Sequence, residues 1–271
     1  MPAQTLAAAA FQSGAALAHL GVAAGQAPVP QELWQARLAL AAAEVCAGLS
    51  GRREDVRALR DAVHLTRGGD DPGPAGSILQ QWYRAVARPI TVAHLGRVLE
   101  GVAPEEIALS LDAAGGMPVD RVAAVIEAVL TQSPRAETVA LILAEAVLAR
   151  SLGQDNLRPV LTQGLKLRDL RLRGDDLRLA CHRAVVAGVR QALPMAGELA
   201  RAAVRLRGVV PKLRAKGAER AVELFLSCDA LAPAALDFMS DRAARRLCER
   251  LVELGAVREL TGRNTFRLYG V

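Results

Sequence analysis

Apolar residues recur along this chain at spacings of three and four, and each such run is stopped by glycine or proline. Val56, Leu59 and Val63 form one such row, a spacing that gathers side chains on one face of an α-helix but scatters them over both faces of a strand. The stops include GQAPVPQ (25–31), Gly51-Arg52-Arg53 and TRGGDDPGPAG (66–76). Between them helices are predicted over residues 6–22, 32–49, 54–66, 77–87, 92–99, 119–130 and 136–151, with another at 175–191. An all-β chain would need more aromatic and β-branched residues in alternating runs, and only 3% of this chain is aromatic. The fold class expected is mainly α, with helices packed closely through Ala and Leu.

Charge divides the chain unevenly. Residues 1–157 carry 12 Arg against 16 Asp and Glu, a net −4, whereas residues 158–271 carry 22 Lys and Arg against 12 acids, a net +10. The texture changes near residue 157, so an N-terminal all-α domain (1–157) and a basic C-terminal region (158–271) are expected. A positive half implies a polyanionic partner, or only well-solvated helix faces. No apolar run is expected to reach the roughly 18–20 residues of a membrane helix, and the N-terminus lacks the basic start of a secretory signal. A cytoplasmic protein is the simplest expectation. Cys46, Cys181, Cys228 and Cys248 are widely spaced and suit reduced, half-buried thiols.

The final 50 or so residues carry the sharpest pattern. A short amphipathic helix is predicted at 218–226, with Val222, Phe225 and Leu226 inward. Pro233 opens a second short helix at 233–238, and Ser240 caps a third whose inward row is Ala244, Leu247, Leu251 and Leu254. Gly255 suits the left-handed residue that ends a helix. Strands at 256–260 and 265–269 then flank the turn Thr261-Gly262-Arg263-Asn264. Helix, short helix, longer helix and hairpin in that order match a winged helix-turn-helix over about 215–271. Such a unit reads double-stranded DNA with cations near the start of its third helix and holds phosphate with cations on its wing. Arg242, Arg245, Arg246 and Arg250 suit the first role; Arg258, Arg263 and Arg267 suit the second. Lys212, Arg214 and Lys216, in a run with seven basic residues against one acid from 201 to 220, suit nonspecific backbone contacts. Winged helices also dock proteins, and Glu249 and Glu253 dilute the positive charge, so a protein partner stays open.

Other candidates are weaker. His64, Asp70 and Asp71 could serve a metal-dependent enzyme, although an Asp before Pro72 also caps a helix start. Cys181 and His182 are adjacent on a predicted helix, about 100° apart, which makes a poor metal pair. His19, His64 and His94 are isolated. The chain has no phosphate-loop Gly-Lys-Ser/Thr, no HExxH, no GxGxxG and no serine elbow. No cofactor is implied, and an enzyme is not the expectation.

The phrases GRREDVRALRDAVHLTRGGDDPGPAG, RLRGDDLRLACHRAV, PKLRAKGAERAVELFL and MSDRAARRLCERLVELGAVRELTGRNTFRLYG resemble the bacterial domain-of-unknown-function family 1403, from about Gly14 to the C-terminus. The resemblance implies a single family architecture and no activity. The function expected is a DNA-binding regulatory or mobile-element accessory protein, its N-terminal helices dimerising or docking a partner. The alternative is an interaction scaffold whose winged helix binds protein.

Overall fold

The computed structural model describes residues 5–25, 28–66, 69–112, 116–262 and 266–271. Among these the chain is mainly helical: α1 (Leu6–Ala24), α2 (Gln31–Leu49), α3 (Val56–His64), α4 (Gly73–Val86), α5 (Val92–Val98), α6 (Pro104–Asp112), α7 (Pro118–Gln132) and α8 (Glu137–Ser151). A short α9 (Leu161–Gly164) leads to α10 (Gly174–Val209), and α11 (Ala218–Phe225) and α12 (Asp241–Glu253) precede the paired strands β1 (Arg258–Glu259) and β2 (Tyr269–Gly270). Side chains cap the helices where the sequence supplies them. Asp55 accepts from the Ala58 amide at 2.9 Å, Thr91 from His94 at 3.0 Å and Ser240 from Ala243 at 3.4 Å.

Helix α8 is the centre of the core. Every residue from Ala140 to Ala149 is buried, and α2, α4, α6, α7 and α9 pack around it. Such all-round burial explains why residues 140–149 are apolar except for Glu145. Helix α1 lies along α10, to which it gives Ala9, Ser13, Leu17 and Leu20. Helix α10 also packs against α7, α9 and α2, so the hydrophobic core runs unbroken past the charge boundary near residue 157.

Several expectations need correction. The predicted helix at 175–191 and the first part of the basic run after it, through Arg207, belong to one helix of 36 residues that passes through Pro194. Proline removes the hydrogen bond to the carbonyl four residues back. Here both Pro194 and Arg190 are exposed, so water can take the freed carbonyl. Helix α6 has no counterpart among the predicted segments. The predicted helix at 233–238 is only a 3-10 turn, Pro233–Ala235, and the two strands shrink to two residues each. Finally, α1 is a 19-residue helix without a charged side chain, long and apolar enough to cross a membrane by length and composition. The sequence expectation that no run reaches that length does not hold for it.

Candidate nucleic-acid interface

A single buried carboxylate fastens the C-terminal unit to the N-terminal helices. Asp229, in the loop after α11, receives Arg37 Nε of α2 at 2.6 Å and both Arg60 Nε (2.6 Å) and Nη2 (2.9 Å) of α3. The Tyr83 hydroxyl of α4 donates to it at 3.3 Å. Burial, then the negative charge of Asp229, raises the Tyr83 pKa. Burial lowers Arg37 against the pull of Asp229, whereas at Arg60 the hydrogen bond and charge of Asp229 outweigh burial and raise it. Arg37 Nη2 also donates to the Val271 carbonyl at 2.9 Å, and Arg57 Nη2 to the Thr261 carbonyl at 3.1 Å. Sequence reading missed this cluster, because no local pattern ties an Asp to Arg residues far upstream.

The loop then becomes a third edge to the hairpin. Leu231 and Tyr269 exchange hydrogen bonds in both directions, at 2.8 and 2.9 Å, and β1 pairs antiparallel with β2, Arg258 opposite Gly270. The order along the chain is thus α11, a bridging residue, the 3-10 turn, α12, β1 and β2. Helix α12 buries Ala244, Leu247, Cys248 and Leu251, the predicted inward row with Cys248 added and without Leu254, which is the half-buried C-cap. Gly255 has φ +65°, and the Ala256 amide reaches back to the Leu251 carbonyl at 2.9 Å, the expected glycine stop.

The outward residues of α12 fall on two edges of different character. Arg242, Arg246 and Arg250 line a groove of about 430 Å³ with Arg214, Leu213 and Ala215 on its far side. Arg242, Arg246 and Arg214 are exposed and make no ion pair among the described residues; Arg250 is paired with Glu253 at 2.9 Å. Lys212 and Lys216 are exposed beside Arg214. On the opposite edge Arg245 is paired with Asp241 at 2.9 Å. Asp241, Arg245 and Glu249 there border a cavity of about 550 Å³ closed by Pro233, Phe266, Arg267 and Tyr269. Arg267 lies 3.8 Å from Glu259; a hydrogen bond to Tyr269, then Glu259, raises its pKa. Arg258 is exposed on β1, and Arg263 at the turn lies outside the described residues. The cationic edge of α12 therefore faces the basic segment before α11, while its mixed edge faces the terminal hairpin. Sequence reading grouped the α12 arginines without this division, because helical spacing gives an outward face but not its neighbours.

The remaining candidates resolve into structural parts. Asp71 Oδ1 accepts from the Gly73 amide at 2.8 Å, a local turn leading into α4, whose N-cap is Pro72. Among the described residues no three His, Cys, Asp or Glu side chains gather as a metal site would require, His64, Asp70 and Asp71 included. His94 Nε2 lies 3.4 Å from the Ala85 carbonyl. Burial pushes the Cys46, Cys181 and Cys248 thiols up to about 12, so none is a poised nucleophile. His182 sits between Ser13 Oγ (2.7 Å from Nδ1) and Asp120 Oδ1 (3.7 Å from Nε2). That order of groups has the composition of a hydrolytic triad. However, Ser13 is in mid-helix, where the neighbouring amides are committed to the helix and form no oxyanion hole. The cluster ties α1, α7 and α10 together.

A family model described as a protein of unknown function matches residues 2–271. No curated protein matches the chain.

Proposed function

The chain belongs to the DUF1403 family, whose name assigns no activity, and from the geometry we propose that its C-terminal unit is a winged helix that binds double-stranded DNA. In this reading α12 is the recognition helix and the β1–β2 hairpin the wing, and the protein is a regulatory or mobile-element accessory factor. The observation that carries the reading is the pair Arg242 and Arg246. Both are exposed, lack an acidic partner among the described residues, and share a groove with Arg214. Unpaired guanidiniums near the start of an exposed helix suit base edges in the major groove. Lys212, Arg214 and Lys216 then suit the flanking phosphates. The bridge between Leu231 and Tyr269 supports the fold assignment, since it adds a third edge between the first helix and the turn.

Fluorescence-polarisation titration of duplex DNA at several salt concentrations tests the proposal. Affinity should fall linearly on a log–log plot; Arg242→Ala and Arg246→Ala should each cost about 1–3 kcal/mol of sequence-specific affinity, and Lys212→Ala with Lys216→Ala should lower the slope by about 2. Arg245→Ala, which only frees Asp241, should change it little. Absence of binding at low salt sinks the proposal. The mixed edge of α12 and exposed Phe266 favour a second reading, in which this side docks a protein. It gains ground if a stoichiometric protein partner is recovered and Phe266→Ser loses it.

A further inference from the structure

A second cavity, of about 460 Å³, opens where α2, α3 and α4 meet the loop after α11. Its apolar walls come from Ala36, Val63, Val86, Ala87, Ala230 and Leu231. Gln35, His64 and Tyr83 interrupt them, and Glu32, Ser227 and Asp229 also line the cavity. Gln35 lines the cavity, is 8% exposed, and makes no hydrogen bond among the described residues. His64 also lines it without a hydrogen bond among those residues. Burial lowers the His64 pKa, so at neutral pH the ring offers one donor and one acceptor. The Tyr83 hydroxyl donates its hydrogen bond to Asp229 and can still accept one.

The Gln35 amide has no protein partner among the described residues and faces the open cavity, so a ligand that matches it replaces water there. Its donor and acceptor lie side by side, so the complementary group carries an acceptor beside a donor, as an amide or amino-heterocycle edge does. Charge narrows the class further. Arg37 and Arg60 are occupied by Asp229, and the remaining charge at the rim is the exposed carboxylate of Glu32. Among the described residues no cation lining the cavity is left for a carboxylate or phosphate, and no carboxylate inside it is left for a cation.

We propose that this cavity binds an uncharged, planar small molecule bearing an amide or amino-heterocycle edge, paired with the Gln35 side chain and flanked by His64 and Tyr83. This inference is independent of the nucleic-acid reading. The occupant would touch both the N-terminal helices and the loop whose Leu231 pairs with the terminal strand.

Cys228 provides the test, since it lines the cavity and is partly exposed, whereas the other three cysteines are buried. The rate at which methyl methanethiosulfonate modifies Cys228 would be followed by intact mass with benzamide, benzoate or benzamidine present. These probes share a ring and differ in being neutral, anionic and cationic. Benzamide should slow modification about threefold at about twice its Kd, by mass action, while the other two give no protection. Gln35→Glu should exchange the preference, protecting with benzamidine and not benzamide, because a carboxylate pairs with an amidinium fork. Gln35→Leu should weaken benzamide about tenfold, with unchanged far-ultraviolet dichroism as the folding control. No protection by benzamide in the unaltered protein overturns the proposal, as does equal protection by benzoate. Benzamide preference surviving Gln35→Glu overturns it too.

Discussion

At the scale of single residues, stability rests on buried charges that the sequence gives no means of pairing. Asp229 is 169 positions from Arg60 and 192 from Arg37, so its role is invisible until the chain is folded. Removing it leaves two guanidiniums buried without a counter-charge. Asp229→Ala should therefore cost about 3–5 kcal/mol, read as a fall in urea midpoint; a change below about 1 kcal/mol would mean that water replaces the carboxylate readily. Glu145, buried at the centre of α8, is the opposite case. Burial pushes its carboxyl up to about 7, against the hydrogen bonds from the Thr162 amide (2.8 Å) and hydroxyl (2.9 Å). Because the folded pKa lies above the usual 4.5, protonated Glu145 favours the folded state. That contribution is complete below about pH 4.5 and is lost as pH rises through about 7. Glu145→Gln keeps the accepting oxygen and removes the titration. Its stability should match that of the unaltered protein near pH 4 and exceed it by about 3 kcal/mol above pH 7. Parallel stability profiles for the two proteins would refute the assignment.

At the scale of elements, the sequence exposes what periodicity and punctuation carry and hides what tertiary context decides. The α12 stripe of Ala244, Leu247 and Leu251, its Ser240 cap and its Gly255 stop were all readable, because each is a local rule obeyed locally. The predicted helix at 175–191 stops short of the real one, which continues through Pro194 because a proline on an exposed helix face can leave its orphan carbonyl to water. Glycine shows the same limit. Gly188 and Gly197 are both inside α10, yet a Cβ at Gly188 would stand 1.7 Å from the Val160 carbonyl oxygen, whereas one at Gly197 would meet only an Arg201 nitrogen at 3.6 Å. The close approach of the segment before α9 to α10 requires the first glycine and not the second. Gly188→Ala should cost about 2–3 kcal/mol, since backbone must move. Gly197→Ala should instead stabilise by about 0.5–1 kcal/mol through helix propensity. Thermal midpoints of the two variants should shift in opposite directions; a shared sign would show that α10 is not packed as described.

At the scale of the whole molecule, charge and packing divide the chain differently. The halves differ in net charge by 14, from −4 to +10, and a sequence reader naturally places a boundary between them. The apolar contacts ignore that line. Helix α1 lies on α10, α9 joins α2 and α8 to α10, and Arg37 and Arg57 of the first half hold the Val271 and Thr261 carbonyls of the last. Charge composition reports on what the surface meets, whereas cooperativity follows the buried contacts. The two halves are accordingly expected to unfold together. The only two tryptophans, Trp34 and Trp82, are both fully buried in the first half, so tryptophan fluorescence, excited selectively over Tyr269, reports on that half alone. Cys248, buried in α12, reports on the other through its reactivity with a thiol reagent. Urea titrations followed by the two probes should coincide within error. If Cys248 becomes reactive at lower urea than the tryptophans move, the buried cluster at Asp229 does not couple the halves, and the C-terminal unit opens on its own.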